Sequence, residues 1–111
     1  MTARLKKHLE FLKVLQKSKG KLRKNLLKDI DNDVLKCLCD CAHNTLCGNL
    51  PLSSVHFKQL KKHKNKLRVL ASKKVSLKKK KHLVQSGGFI SALLAPLLTV
   101  AATLLAESWK Q

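Results

Sequence analysis

The uneven distribution of positive charge is the feature that most constrains how this chain can fold. Residues 58–82 carry twelve basic side chains and no acid, and residues 1–24 carry nine basic side chains and one acid. Residues 25–57 carry two basic and four acidic groups, and the formal net charge of the 111 residues is +18. Repulsion of this size opposes a compact state unless polyanions neutralise it. The sequence therefore predicts either a marginal helical bundle or a chain that gains order from a partner, with two basic blocks that hold the whole excess of positive charge.

An uncharged segment follows the second basic block. Residues 89–106 contain no Asp, Glu, Lys or Arg, are rich in Leu and Ala, and include Pro96. As a helix they would span about 27 Å, close to the roughly 30 Å of a bilayer core. The segment would suit a membrane, an apolar groove of another protein, or the core of the same chain. The sequence alone leaves these three alternatives open.

The apolar spacing predicts an all-α fold, a small bundle of three or four short helices plus an apolar C-terminal helix. Helices are expected at 3–19, 22–46, 54–71 and 76–85. Gly20 and Gly48 are expected to end helices, and Ser53 or Ser54 and Ser76 to begin them. The predicted organisation is a basic helical region over 1–86, a Gly-Gly hinge at 87–88, an apolar tail helix over 89–106 and a polar C-terminus over 107–111.

Four cysteines lie within eleven residues, at Cys37, Cys39, Cys41 and Cys47, with His43 among them. Cys-x-Cys spacing on a helix directs the two side chains about 200° apart, which does not suit convergence on one metal ion. Cys37 and Cys41 share an apolar stripe, and free cysteine behaves as a small buried hydrophobe. We expect structural packing and no metal; a zinc site is the alternative.

Enzymatic activity is not expected. The sequence has no glycine-rich phosphate loop, no paired carboxylates in an apolar setting and no nucleophile motif, so we predict no catalytic residue and no cofactor. The few aromatic residues argue against a stacking platform for single-stranded bases, and lysine attracts phosphate without a bidentate fork. Non-specific binding of double-stranded DNA is therefore predicted for the basic residues Lys58, Lys61, Lys62, Lys64, Lys66, Arg68, Lys73, Lys74, Lys78, Lys79, Lys80 and Lys81.

A second class of function also fits. Lysines directly before an uncharged helix suit an anionic lipid surface, so a membrane-active or membrane-anchored basic protein at an intracellular membrane is the alternative. A cellular basic adaptor is a third possibility.

The stretch 44–98 resembles adenovirus core protein X (pre-mu) and related minor virion proteins of the Polinton and adintovirus elements. The resemblance rests on the turn Gly48-Asn49-Leu50-Pro51-Leu52, the basic region after it, and the Gly-Gly-Phe that opens an apolar, proline-containing tail. It implies a DNA-condensing core protein located in the virion and the host nucleus. It also implies a maturation protease that cuts before Phe89 in Gln85-Ser86-Gly87-Gly88-Phe89. The apolar pattern of residues 89–106, and not the resemblance, suggests contact of the tail with a membrane or an apolar capsid groove.

Overall fold

The computed structural model describes residues 2–48, 52–86 and 89–98, and within these ranges every regular element is a helix. The all-α prediction is therefore confirmed at the level of fold class. The helices are α1 (Thr2–Lys17), α2 (Gly20–Lys28), α3 (Asn32–Leu46), α4 (Ser54–Lys61), α5 (Lys64–Ala71), α6 (Leu77–Ser86) and α7 (89–98). The remainder of the predicted tail helix, 99–106, lies outside the described residues.

The predicted helix over 22–46 is two helices, and acidic residues explain the break. The Asp31 side chain accepts a hydrogen bond from the backbone N–H of Asp33 at 2.6 Å, which caps the start of α3. Such side chains compete with helical hydrogen bonds and favour helix starts. Ile30, in the short connection, is buried and fixes this break against the core.

The predicted helix over 54–71 is also two helices, α4 and α5, separated at Lys62 and His63. Ser53 caps α4 as expected, with its hydroxyl accepting from the His56 N–H at 3.2 Å. No side chain caps α5. The break at Lys62 therefore could not be predicted from a capping residue in the sequence.

The remaining boundaries follow the predictions closely. α1 ends at Lys17, and Gly20 opens α2 with a φ of +58°, a conformation that glycine adopts at little cost. Gly48 has a φ of +73° just after α3. Ser76 caps α6 by accepting from the Lys79 N–H at 3.3 Å.

α3 is the central element of the core and packs against α1, α5 and α6. It buries six side chains: Val34, Leu35, Cys37, Leu38, Cys41 and Ala42. α1 contributes three fully buried leucines on its inner face, and α5 contributes two more. The burial of Cys37 and Cys41 confirms the prediction that they pack as apolar side chains.

The first half of the predicted tail belongs to the same core. Phe89, Ile90, Leu93, Leu94 and Leu97 of α7 are each at most 1% exposed and join the hydrophobic cluster formed by the other helices. Among the three alternatives left open by the sequence, the structure places residues 89–97 in the interior of this chain. Burial of apolar area is the main favourable contribution to folding, so α7 stabilises the domain.

Candidate polyanion-binding surface

The basic block 58–82 lies on α4, α5, α6 and the two connections between them. Ten of its twelve cationic side chains are exposed; Lys81 is half-buried and Lys80 is buried. Helices α4 to α6 therefore present a dense set of solvated ammonium groups at fixed positions. This arrangement suits attraction of phosphates without recognition of base edges.

None of the twelve cations forms an ion pair with any residue that the structure describes. The ion pairs among the described residues lie between positions 4 and 40: Arg4 with Asp33 and Asp40, Lys7 and His8 with Asp33, and Lys13 with Glu10. These acids neutralise charge in the N-terminal half, and no acid of the described residues neutralises the block 58–82. Those cations remain available to an external anion.

Asp33 connects α3 to α1. His8 Nε2 lies 2.6 Å from its Oδ2, Arg4 Nε lies 3.4 Å from Oδ1, and Lys7 Nζ lies 3.6 Å from Oδ2. The hydrogen bond with His8, followed by the charges of Lys7, His8 and Arg4, lowers the pKa of Asp33 below its ordinary value. A lowered folded-state pKa stabilises the fold above the pKa of the unfolded chain, and this stabilisation is lost as pH falls through the folded-state pKa.

We therefore expect Asp33→Asn to lower the melting temperature at pH 7 and to have no effect at a pH below the folded-state pKa of Asp33. Thermal melts followed by circular dichroism from pH 7 down to pH 2 would measure the difference. Asp29→Asn is the matched control, because Asp29 is exposed and in no ion pair with the described residues. If the melting temperatures of Asp33→Asn and the parent chain differed by the same amount at all pH values, the lowered pKa of Asp33 would be contradicted.

The four consecutive lysines of α6 do not share one face. Successive helical residues are rotated by about 100°, so Lys78, Lys79, Lys80 and Lys81 surround most of the helix. Lys80 consequently faces the protein and is only 7% exposed. The structure places Lys80 in a cavity with cations of other parts of the chain, and the prediction that Lys78 to Lys81 contact DNA stays a prediction.

Lysines of the block, exposed except for Lys80, border three separate surface concavities. Lys61 and Lys64 border one of about 180 Å³, Lys62 borders one of about 330 Å³, and Lys73 and Lys80 border one of about 360 Å³. The positive charge is therefore distributed around several sides of α4 to α6. One side chain has an additional contact: Lys66 Nζ lies 5.6 Å from the ring centroid of Phe89, within cation–π range.

The predicted cleavage site lies beside the core. Gln85 Nε2 donates to the carbonyl oxygens of Leu27 and Lys28, at 3.1 and 2.7 Å, and so ties the end of α6 to the end of α2. Phe89 is 1% exposed, and its ring centroid lies 6.2 Å from that of His63. The side chain of Ser86, and both Gly87 and Gly88, lie outside the described residues, so the hinge prediction stays a prediction.

The cysteines are placed mostly as packing groups. The hydrogen bond between Cys37 and Cys41, together with burial, raises the pKa of Cys41 far above its usual value, and burial raises the pKa of Cys39. No group of three or more His, Cys, Asp or Glu side chains that would hold a metal ion occurs within residues 2–48, 52–86 and 89–98.

Sequence reasoning did not foresee two contributors to this surface. Arg4 of α1 and Lys36 of α3 lie at the same cavity as Lys73 and Lys80. Arg4, Lys36 and Lys73 are each separated from the next by more than 30 positions in the chain. Only the packing of α1 and α6 on α3 brings them together. No local spacing in the sequence carries that information.

Comparisons with protein-family models, curated proteins and solved structures give no match for this chain. Within the described residues, no helix has both the length and the apolar character needed to cross a bilayer. The class that the fold and surface define is a small, basic, all-helical protein with unpaired cations on several sides.

Proposed function

We propose that this protein binds double-stranded DNA without sequence specificity and draws duplexes together, as a minor core protein of a virus-like particle. The observation that supports the proposal best is the set of ten exposed cations in residues 58–82, none of which is paired with an acid of the described chain. Their binding to phosphates releases condensed counterions, which supplies the free energy of non-specific association.

The distribution of these cations favours condensation over the coating of a single duplex. The molecule measures 36 × 27 × 26 Å, so a rigid duplex can lie along only part of its surface. Lysines beside three separate concavities leave charge free on the sides that the first duplex does not cover. A second duplex bound there would be held close to the first, and phosphate repulsion between the two would be screened by the protein.

The resemblance of residues 44–98 to adenovirus-type core proteins supports the placement in a virion and the host nucleus. The maturation cut before Phe89 is a further part of this proposal, and contact of the tail with a membrane or capsid groove would follow only after α7 has left the core. The membrane-active alternative has less support, because the apolar side chains of 89–97 that would enter lipid are already buried against this chain. A membrane role would require α7 to leave the core.

Two charge-matched variants test the proposal. In the first, Lys58, Lys61, Lys62 and Lys64 become Gln; in the control, Lys17, Lys19, Lys21 and Lys24 become Gln. All eight lysines are exposed and in no ion pair with the described residues, so neither set should disturb the fold. The logarithm of DNA affinity falls linearly with the logarithm of salt concentration, and the slope counts the neutralised phosphates. If residues 58–82 contact the phosphates, this slope should become shallower by about four in the first variant and by about one or less in the control.

Fluorescence anisotropy on a short labelled duplex, over a range of salt concentrations, would measure both slopes. Equal losses in the two variants would mean that DNA responds to net charge alone and that residues 58–82 are not the contact surface. Light scattering with long DNA tests condensation: the parent chain should compact DNA at lower protein concentration than the first variant.

A further inference from the structure

A basic cavity lies where α1, α3 and α6 meet below the turn between α5 and α6. Its volume is about 360 Å³, within the range of small-molecule sites. Its cationic lining comes from four separate parts of the chain: Arg4, Lys36, Lys73 and Lys80. The cavity also contains the Asp40 carboxylate and the half-buried Cys39.

The four cations are not equivalent. Arg4 Nη1 donates to Asp40 Oδ2 at 2.8 Å, and Arg4 Nε lies 3.4 Å from Asp33, so its charge is already balanced. Lys36, Lys73 and Lys80 form no ion pair with any residue in the described part of the chain. Counting the four cations against Asp40, the lining has a net charge of +3.

Lys80 differs from the other cations of the cavity in its burial. Its side chain is 93% removed from solvent, yet no carboxylate of the described residues neutralises it. The Lys80 Nζ is not among the buried, unpartnered side-chain atoms of the described residues, so the stem is buried while the ammonium still reaches solvent at the cavity. The buried stem holds the Lys80 ammonium at the cavity, whereas the exposed Lys79 next to it does not line the cavity. An anion bound in the cavity would therefore be stabilised by Lys80 and not by Lys79.

We propose that this basic cavity binds a compact phosphate-class anion with two or three negative charges, such as a phosphomonoester or pyrophosphate. The charge of such an anion matches the net charge of the lining. Lysine ammonium groups suit the purpose because they donate in several directions to phosphate oxygens, and Arg4 is held in place by Asp40. A backbone phosphodiester has only one charge, and a duplex is too broad to enter. The site does not depend on the proposed DNA binding.

Calorimetric titration of pyrophosphate into the full chain tests the site. Lys80→Met keeps the length of the buried apolar stem and removes the charge, and because the ammonium has no ion pair with the described residues its loss should not unfold the protein. We expect this variant to bind pyrophosphate at least about tenfold more weakly, since a hydrogen bond to a charged group is lost. Lys79→Met is the matched control, with the same change in charge at an exposed neighbour, and its affinity should stay within about twofold of the parent.

A second measurement uses the parent chain alone. Cys39 lies in the cavity and the exposed Cys47 does not line it, so bound pyrophosphate should slow alkylation of Cys39 by neutral iodoacetamide and leave Cys47 unchanged. Equal weakening in the two lysine variants, or no protection of Cys39, would overturn the proposal. A short DNA duplex titrated in the same buffer separates the sources of phosphate. If Lys80→Met weakened DNA binding as much as pyrophosphate binding, the cavity would be a DNA contact and the proposal would fail.

Discussion

A chain that ends at Gly88 is expected to lose its cooperative unfolding transition. The deletion removes all of α7, including five side chains that are at most 1% exposed, and uncovers the apolar surfaces against which they pack. A small domain has only about 5–15 kcal/mol of net stability. Full burial of one such side chain contributes about 1.5–3 kcal/mol, so the loss of five, about 7.5–15 kcal/mol, is as large as the whole net stability of such a domain. Thermal melts followed by circular dichroism would show a shallow, non-cooperative change in place of a transition.

A pair of leucine variants makes this expectation independent of the truncation. Leu94→Ala, at a fully buried position of α7, should cost about 2–5 kcal/mol and lower the melting temperature by roughly 10 °C or more. Leu22→Ala makes the same chemical change on α2, where the side chain is 55% exposed, and should have an effect of about 0.5 kcal/mol or less. If residues 1–88 melted cooperatively at the parent temperature and the two alanine variants behaved alike, α7 would not belong to the core.

The burial of Phe89 limits the access of a protease to the bond before this residue. A protease binds an extended chain on both sides of the bond that it cuts, but the Phe89 ring is enclosed and contacts His63 and Lys66. The proposed maturation cut therefore requires either an unfolded chain or a molecule in which α7 has separated from the core. Fragment 1–88 would keep the whole net charge of +18, because Glu107 and Lys110 cancel. DNA binding by that fragment would consequently not report whether it is folded.

The sequence predicted the helices well where a local chemical signal marks them. Ser53, Ser76 and Gly48 act at the positions expected from capping and left-handed backbone preferences, whereas Gly20 has a positive φ but begins α2 instead of ending α1. Asp31, which caps α3, also marks the break between α2 and α3 in the sequence. The apolar stripe that continues across this break led instead to the prediction of one helix over 22–46. The break at Lys62 has no cap, and the burial of α7 depends on tertiary contacts; neither could be obtained from spacing alone.

Part of the candidate site could likewise be predicted from the sequence, and part of it could not. The location and the exposure of most cations in residues 58–82 follow from composition, since lysine is almost never fully buried. Lys80 is the exception because four consecutive lysines cannot all face solvent when one side of α6 packs on α3. The basic cavity joins Arg4 and Lys36 to Lys73 and Lys80, and this juxtaposition arises only from the packing of distant segments.

Salt is expected to change the affinity for DNA more than any single substitution. If roughly eight phosphates are neutralised, the logarithm of the affinity should fall against the logarithm of salt concentration with a slope near −7 on duplex DNA. Between 50 and 200 mM salt the affinity would then fall about 10⁴-fold. The expectation follows from the ten exposed cations of residues 58–82, which are unpaired within the described chain and therefore exchange counterions for phosphates.

Anisotropy titrations on two duplexes of equal length and unrelated sequence would measure this slope and its independence of sequence. The two affinities should agree within about threefold at every salt concentration, because solvated lysines contact phosphates and carry no information about base edges. The Gln variant at Lys58, Lys61, Lys62 and Lys64 should bind with a slope near −3, since each lost phosphate contact lowers its magnitude by about one. A parent slope shallower than about −2, or a preference above tenfold for one duplex, would mean that counterion release does not drive binding. The exposed lysines of α4 to α6 would then be a solvated surface without a nucleic-acid partner.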